Sequence, residues 1–242
     1  MDSSVAVLIP AYQPGPALVP LAERLREAFA HVVVVDDGST RGREVFDALR
    51  GRVDAVLRNE RNRGKGASLR AGFAWIAENL PEVAGVVTVD ADGQHRVEDI
   101  VRVAAAVRGH SGGLVLGVRT LGAGVPLRSR FGNFWARFFF WIFTGLSLRD
   151  TQTGLRGVPR DILWRMQLYP GERYEYEMQM LADARSHRAA PLQIPIETVY
   201  LDENSSSHFR PVRDAFLTQF ALVSWRFRPR TAPSATNARQ TP

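Results

Sequence analysis

Cysteine is absent, which removes any disulfide framework, thiolate nucleophile or thiolate metal site from consideration. Long apolar runs are absent as well. Phe138 to Leu148 and Ala215 to Trp225, the longest uncharged stretches near the aromatic segment and near the end, are half of the roughly 20 residues a membrane span needs. The opening Met1-Asp2-Ser3-Ser4 carries no basic segment, and Pro10, Pro14 and Pro16 interrupt the apolar stretch behind it, so a secretion signal is not expected. No GxGxxG follows the first β-rich run, where Pro-Ala-Tyr-Gln-Pro stands instead, which argues against a dinucleotide-dependent oxidoreductase. Lys65 lies between two glycines without the GxxxxGK[ST] spacing of a P-loop. No internal repeat is visible.

What remains is ordinary globular material: 242 residues, 45% hydrophobic and 23% charged, enough to bury a real core. The net charge of +6 points to an anionic partner, whether nucleic acid, an anionic membrane surface or a phosphorylated substrate. No nucleic-acid-binding motif is recognisable.

The first 120 residues alternate β-rich runs with helical periodicity. Val5 to Ile9 predicts a strand closed by Pro10, and Ala17 to Ala30 a helix with Leu18, Leu21, Leu25 and Ala28 on one face. Val32 to Val35 predicts a buried strand ending in Asp36-Asp37-Gly38-Ser39-Thr40, and Leu57 closes a third before Asn59. Gly64-Lys65-Gly66 opens a helix over Ala67 to Asn79, with Leu69, Phe73, Ile76 and Leu80 inward. A strand around Val86, a helix near Val97 to Val107 and a strand over Leu114 to Val118 follow. This alternation predicts an open, mostly parallel α/β sheet with flanking helices. After Arg119 come an aromatic segment interleaved with Arg128, Arg130 and Arg137, a polar turn over Asp150 to Gly154, a helix after Glu177 and a last strand over Leu192 to Tyr200. A polar loop over Leu201 to Arg213, an apolar helix over Phe216 to Phe227 and a tail over 228–242, whose composition is that of a disordered segment, complete the expectation.

The stretch Val86 to His95, VVTVDADGQH, organises the rest. A buried parallel strand ends there in two carboxylates, Asp90 and Asp92. Ligands of such sheets bind at the carboxyl ends of the strands. Two ionised carboxylates at that place repel unless a cation joins them, so Asp-x-Asp points to a divalent metal held by oxygen ligands and completed by a phosphate-bearing substrate. A polar turn whose Asp caps the helix near Val97 is the plain alternative. Lys65, at a helix start where backbone N–H groups suit anions, fits a phosphate as well.

Seven stretches, VLIPAYQP (7–14), VVVVDDGST (32–40), NRGKGASLRAG (62–72), VDADGQH (89–95), GVR (117–119), DTQTGLRG (150–157) and RYEYEM (173–178), occur in an order that resembles family 2 glycosyltransferases of the GT-A fold. The subgroup they resemble is that of the dolichyl- and polyprenyl-phosphate mannosyltransferases. The resemblance covers about residues 5 to 215 and implies one GT-A domain over 1–227, with a nucleotide-sugar half (1–119) and an acceptor half (120–227). It implies donor contacts from Pro10, Ala11, Tyr12, Asp36, Asp37, Lys65, Asp90, Ala91 and Asp92, with Mg²⁺ or Mn²⁺ on Asp92 and Gln94. Asp90, Asp92 and Arg119 would form the catalytic group; His95 is read as a supporting or capping residue.

The same resemblance gives the acceptor side to Arg119 and Arg130, with Glu175, Glu177, His208 and Arg210 nearby; a guanidinium grips phosphate bidentately and keeps its charge. The activity implied is inverting transfer from a GDP- or UDP-sugar to a polyprenyl phosphate. Many relatives use a glutamate of the Glu175/Glu177 stretch as base for a sugar hydroxyl, and that alternative stands, as does a non-catalytic nucleotide-sugar-binding protein. The aromatic stretch Phe131 to Phe143 is either core or an amphipathic element in the membrane interface. A cytoplasmic protein, peripheral on the membrane, is expected. Two departures weaken the mannose assignment: Asn204 to His208 replaces a Gly-x-Ser-Lys loop, and Gln13 stands where the family usually has Asn.

Overall fold

A computed structural model describes residues 1–119, 138, 140–142, 144–187 and 189–197. The expectations for the polar loop, the second apolar helix and the tail beyond residue 197 lie outside these residues, as does most of the aromatic segment.

Runs of β-branched residues build the centre. β1 (Asp2–Ala11) is buried from Val5 to Ala11 without alternation, as a parallel strand covered on both faces must be. β2 (Phe29–Asp36) and β3 (Ala55–Arg58) pair beside it on one side, and β4 (Gly85–Thr88) on the other. β5 (Val115–Arg119), β6 (Arg156–Pro159) and β7 (Leu192–Ile196) extend the sheet in the order β3-β2-β1-β4-β6-β5-β7. Among the described strands only β6 runs antiparallel, against both β4 and β5. From β1 the chain goes first to β2 and later returns to β4 on the opposite side, so the strand order reverses between β1 and β4. Ligands of open α/β sheets bind above such a reversal, at the strands' carboxyl ends.

Helices cover both faces. α1 (Leu18–Ala28), α2 (Arg43–Leu49) and α4 (Val97–Arg108) pack one apolar layer around Leu25, Phe46 and Val103. α3 (Lys65–Asn79), α5 (Arg160–Leu163, continued as a 3₁₀ turn to Gln167) and α6 (Glu175–Ser186) pack the other around Phe73, Met166 and Tyr176. α1 buries Leu18, Leu21, Ala22 and Leu25, the expected stripe shifted toward Ala22 from the half-buried Ala28.

Several boundaries differ from the sequence expectation for identifiable reasons. α1 stops at Ala28 because Phe29, fully buried, already has extended backbone and starts β2. β1 runs through Pro10, which pairs with Val35 at the strand's end where one missing donor is tolerated. α3 begins at Lys65 rather than Ala67, and α6 at Glu175, so that Glu177 lies inside its first turn. α2 and β6 have no counterpart in the sequence expectation: seven residues carry too little periodicity, and Arg-Gly-Val-Pro has almost no strand signature.

Candidate active site

The carboxyl ends of β1, β2, β4 and β5 converge on one edge. At the ends of β1 and β2 the polar side chains are largely turned onto the backbone. Asp36 accepts the Ser39 N–H at 2.7 Å and lies 3.5 Å from the Arg58 guanidinium. Asp37 accepts Asn59 Nδ2 at 2.8 Å and the N–H groups of Arg63 and Gly64 at 3.0 and 2.7 Å, which fixes the loop before α3. Both acids are buried. Pro10 and Ala11 are buried in β1, with Ala11 accepting the Asp37 N–H. Tyr12 is half-buried beside Gln13, whose N–H donates to Ser39 Oγ at 2.8 Å and whose amide reaches Tyr12 Oη and Thr40. Gln13 is also the only described non-glycine residue with positive φ, at 48°. That backbone accounts for an asparagine preference at the position, since Asn tolerates the left-handed region better.

A chain of alternating charge occupies the middle of the edge. Lys65 Nζ, at the start of α3, lies 2.7 Å from Asp90 Oδ1 and 3.0 Å from Glu177 Oε1. Behind Glu177, Arg156 Nε stands 3.7 Å from the same Oε1, and His95 Nε2 is 3.8 Å from Asp90 Oδ2. Burial opposes the charge on both members of the central pair, but the neighbours outweigh it. The Lys65 and His95 contacts hold the Asp90 carboxyl far below the usual carboxylate range. Asp90 and Glu177 hold the Lys65 ammonium above its ordinary value. α3 and α6 come close enough for this because Gly66 has no side chain: a Cβ there would stand 2.4 Å from Tyr176 Cβ. Gly154 does the same for Asp90, since a Cβ at that position would lie 2.0 Å from Oδ2.

Asp92 faces a different environment. Its Oδ1 accepts the Gln94 N–H at 3.0 Å across Gly93, and Ala91 packs half-buried on the core beneath. Burial first, and the Asp90 carboxylate second, push the Asp92 carboxyl up. A carboxylate whose surroundings make it costly to ionise is the group a cation would relieve. Asp92 and the Gln94 amide offer hard oxygen donors on one turn; no cluster of three or more His, Cys, Asp or Glu able to hold a metal occurs among the described residues.

At the end of β5, Arg119 meets Asp150 through two parallel bonds, Nε–Oδ2 at 2.6 Å and Nη2–Oδ1 at 3.1 Å. Asp150 is fully buried; burial raises its carboxyl, and the Arg119 bond and charge more than reverse this, leaving it below the usual range.

The structure thus brings together Lys65, Asp90, Asp92 and Glu177, with Arg119 at the end of β5, two strands away on the same edge. It turns Glu175 away: that carboxylate accepts the N–H groups of Glu172 and Arg173, both at 3.1 Å, on the exposed side of the loop. Arg130, His208 and Arg210 lie outside the described residues, as do Arg128 and Arg137. Asp150, Gly154 and Arg156 are site residues that the sequence alone does not single out; the signal that could find them is that all three fall in the DTQTGLRG stretch.

A mostly parallel α/β sheet with a charged cluster over its strand-order reversal, and an arginine at the end of β5, places a candidate site where sheets of this kind bind ligands. The chain belongs to glycosyl transferase family 2, whose model matches residues 6–166, and it is a glycosyltransferase. It is 32% identical over 206 residues to the undecaprenyl-phosphate mannosyltransferase of Micrococcus luteus, covering 81% of this chain and 83% of that one. It is 26% identical over 222 residues to the UDP-N-acetylglucosamine–dolichyl-phosphate N-acetylglucosaminyltransferase of Methanococcus voltae, covering 83% and 88%. Among solved structures, glucosyl-3-phosphoglycerate synthase from Mycobacterium tuberculosis, in complex with Mn²⁺, UDP and glucosyl-3-phosphoglycerate, matches with a TM-score of 0.64 at 15% identity, over 95% of this chain and 82% of that one. That likeness establishes the GT-A fold.

Proposed function

We propose that the protein is an inverting glycosyltransferase that moves a sugar from a nucleotide diphospho-sugar to a polyprenyl phosphate at a membrane face, with a divalent cation. The observation that carries this reading is the setting of Glu177. Its buried carboxylate is held between the Lys65 ammonium and the Arg156 guanidinium, so its contacts fix Lys65 and leave it closed to an acceptor hydroxyl. A hydroxyl acceptor needs a base; a phosphate monoester, with its second pKa near about 6, arrives already ionised. The names of the Micrococcus and Methanococcus relatives, both lipid-phosphate transferases, support the same acceptor class.

Asp92 and Gln94 fit a divalent cation of the kind completed by diphosphate and water, because two protein oxygens on one turn leave most of the coordination shell to the substrate. The cation supplies neutralisation of the leaving diphosphate, as the Mn²⁺ and UDP of the mycobacterial synthase also support. Around it the chain's own groups divide the work. Asp90, kept ionised by Lys65, faces the donor sugar; Lys65 offers its ammonium to the phosphates. The polar ends of β1 and β2 from Tyr12 to Thr40 shape the cleft for the nucleoside. Arg119, fixed by Asp150, turns the acceptor phosphate oxygen toward the anomeric carbon for attack opposite the departing diphosphate. Catalysis comes from positioning and preorganised charge.

Membrane contact is supported by the described part of the aromatic segment. Phe140 is buried in the core while Trp141 and Ile142 beside it are about half exposed. No described helix is long and apolar enough to cross a membrane.

The test is label transfer from a panel of UDP- and GDP-sugars into solvent-extractable polyprenyl phosphate, with Mn²⁺, with chelator and with Asp92→Asn. Metal-dependent labelled lipid that disappears in the variant is expected. Donor binding without labelled lipid, together with transfer to a free sugar, would overturn the acceptor assignment.

A further inference from the structure

Arg156 is among the largest fully buried side chains of the described residues, with 1% exposure. Burying a guanidinium is unfavourable unless its donors are matched, and apolar residues of similar volume often replace such groups without loss of stability. Here the donors are matched, and the partners are those that frame the site. Nε donates to the Thr153 carbonyl at 2.9 Å, Nη2 to the Thr151 carbonyl at 3.4 Å and Nη1 to the Glu177 carbonyl, while the Glu177 carboxylate stands 3.7 Å from Nε.

Each contact leads to a different part of the site. The turn that carries Thr151 and Thr153 begins with Asp150, which grips Arg119, and ends with Gly154, whose backbone faces Asp90. Glu177 leads to Lys65 and from there to Asp90. The Arg156 carbonyl accepts Thr88 Oγ1 at 3.4 Å, and Thr88, which also donates to the Gly154 carbonyl at 2.8 Å, lies two residues before Asp90. One buried charge therefore braces the turn behind Arg119 and the helix behind Lys65 at once.

We propose that Arg156 is a positioning residue that ties the donor and acceptor subsites to a common strut, so that neither keeps its geometry without it. The assignment of the two subsites rests on the function proposed above; the strut itself does not. Charge alone does not suffice for this role, because three carbonyls at separate angles need the planar fork of a guanidinium.

The experiment compares the parent with Arg156→Met, which keeps the volume, and Arg156→Lys, which keeps the charge. Hydrogen exchange is followed at 62–66, 150–154 and, as a distant reference, 53–58. In Arg156→Met exchange is expected to rise at both site segments and stay at the parent level in 53–58. Donor and acceptor Michaelis constants are expected to rise together, and kcat to fall on the order of 10²-fold, the cost of reacting groups misplaced by about 1 Å. Arg156→Lys recovers only the Glu177–Lys65 side, so donor KM improves and acceptor KM does not. A merely structural arginine would lower the melting temperature and leave both Michaelis constants and the exchange at 62–66 unchanged, and a folded Arg156→Met with that behaviour overturns the proposal. If Arg156→Met does not fold, Arg156→Lys carries the test alone: it keeps the charge without the planar fork, and parent-like exchange at 150–154 in that variant overturns the proposal. Failure of the parent to label lipid would refute the acceptor assignment alone, since the exchange measurement needs no substrate.

Discussion

Replacing Gly154 with alanine would set a methyl carbon 2.0 Å from Asp90 Oδ2, 2.5 Å from Cγ and 2.6 Å from Oδ1. Ordinary contact begins at 3.4 Å, so the carboxylate or the turn must give by about 1.4 Å. Neither is free to do so cheaply. The turn is held by the Thr88 bond to the Gly154 carbonyl and by the Arg156 fork, and Asp90 is held by Lys65 at 2.7 Å. Overpacking of this kind costs roughly 1–3 kcal/mol of stability, which for a chain of this size lowers Tm by about 2–4 °C per kcal/mol. The larger effect is on chemistry. A carboxylate displaced by more than about 1 Å loses its ion-pair distance to Lys65 and its place at the donor, and kcat/KM is expected to fall on the order of 10²-fold, or about 2.7 kcal/mol of transition-state stabilisation. The assay is initial-rate transfer beside thermal melting. Gly109→Ala serves as control, since a Cβ there meets nothing within 4 Å and its φ is an ordinary −96°. A Gly154→Ala enzyme with parental kcat/KM and a Tm within a degree of the parent would refute the claim that this glycine exists to admit Asp90.

Three further outcomes follow from the same geometry. Burial and then Asp90 raise the Asp92 carboxyl, so the folded state holds that proton more tightly than the unfolded chain and loses stability as pH rises above the unfolded value of about 3.9. Asp92→Asn is therefore expected to melt higher than the parent at pH 7 without metal and to lose the stabilisation that Mn²⁺ with nucleoside diphosphate gives the parent; metal-free melting at or below the parent would contradict this. Asp150 shows the opposite sign: burial is outweighed by Arg119, so its contribution is present above about pH 3.9 and is lost as pH falls through the lower folded value. Asp150→Asn should flatten the acid limb of a stability–pH curve and raise the acceptor KM while nucleotide affinity, read by calorimetry, stays put; an unchanged acid limb would count against the pair. Gln13→Asn should recover part of the about 1–2 kcal/mol that a left-handed backbone costs a non-glycine residue, giving a modest rise in Tm, and a fall would show that the Gln13 contacts to Thr40 and Arg41 outweigh the strain.

The sheet and the strand-end acids were legible in the sequence because both are local. Val32 to Val35 and Val86 to Val89 announce buried strands by composition alone, and a polar turn directly after such a run lies at a carboxyl end whatever the rest of the chain does. The partners of the site residues are not local. Lys65 meets Glu177 across 112 positions and Arg119 meets Asp150 across 31, so nothing in the neighbourhood of either cation hints at the carboxylate that fixes it. β6 hides for a related reason: its Arg156 is a poor strand residue in isolation and becomes tolerable only when three carbonyls and a carboxylate from two other segments surround it. Asp37 shows the limit of motif reading from the other direction. The family pattern offers it to the nucleotide, yet its two oxygens accept three hydrogen bonds from Asn59, Arg63 and Gly64. Those bonds hold the loop that delivers Lys65 to Asp90. An acid can therefore serve the donor site by building the loop beneath it, and substitution of Asp37 should loosen Lys65 before it removes any contact to the nucleoside.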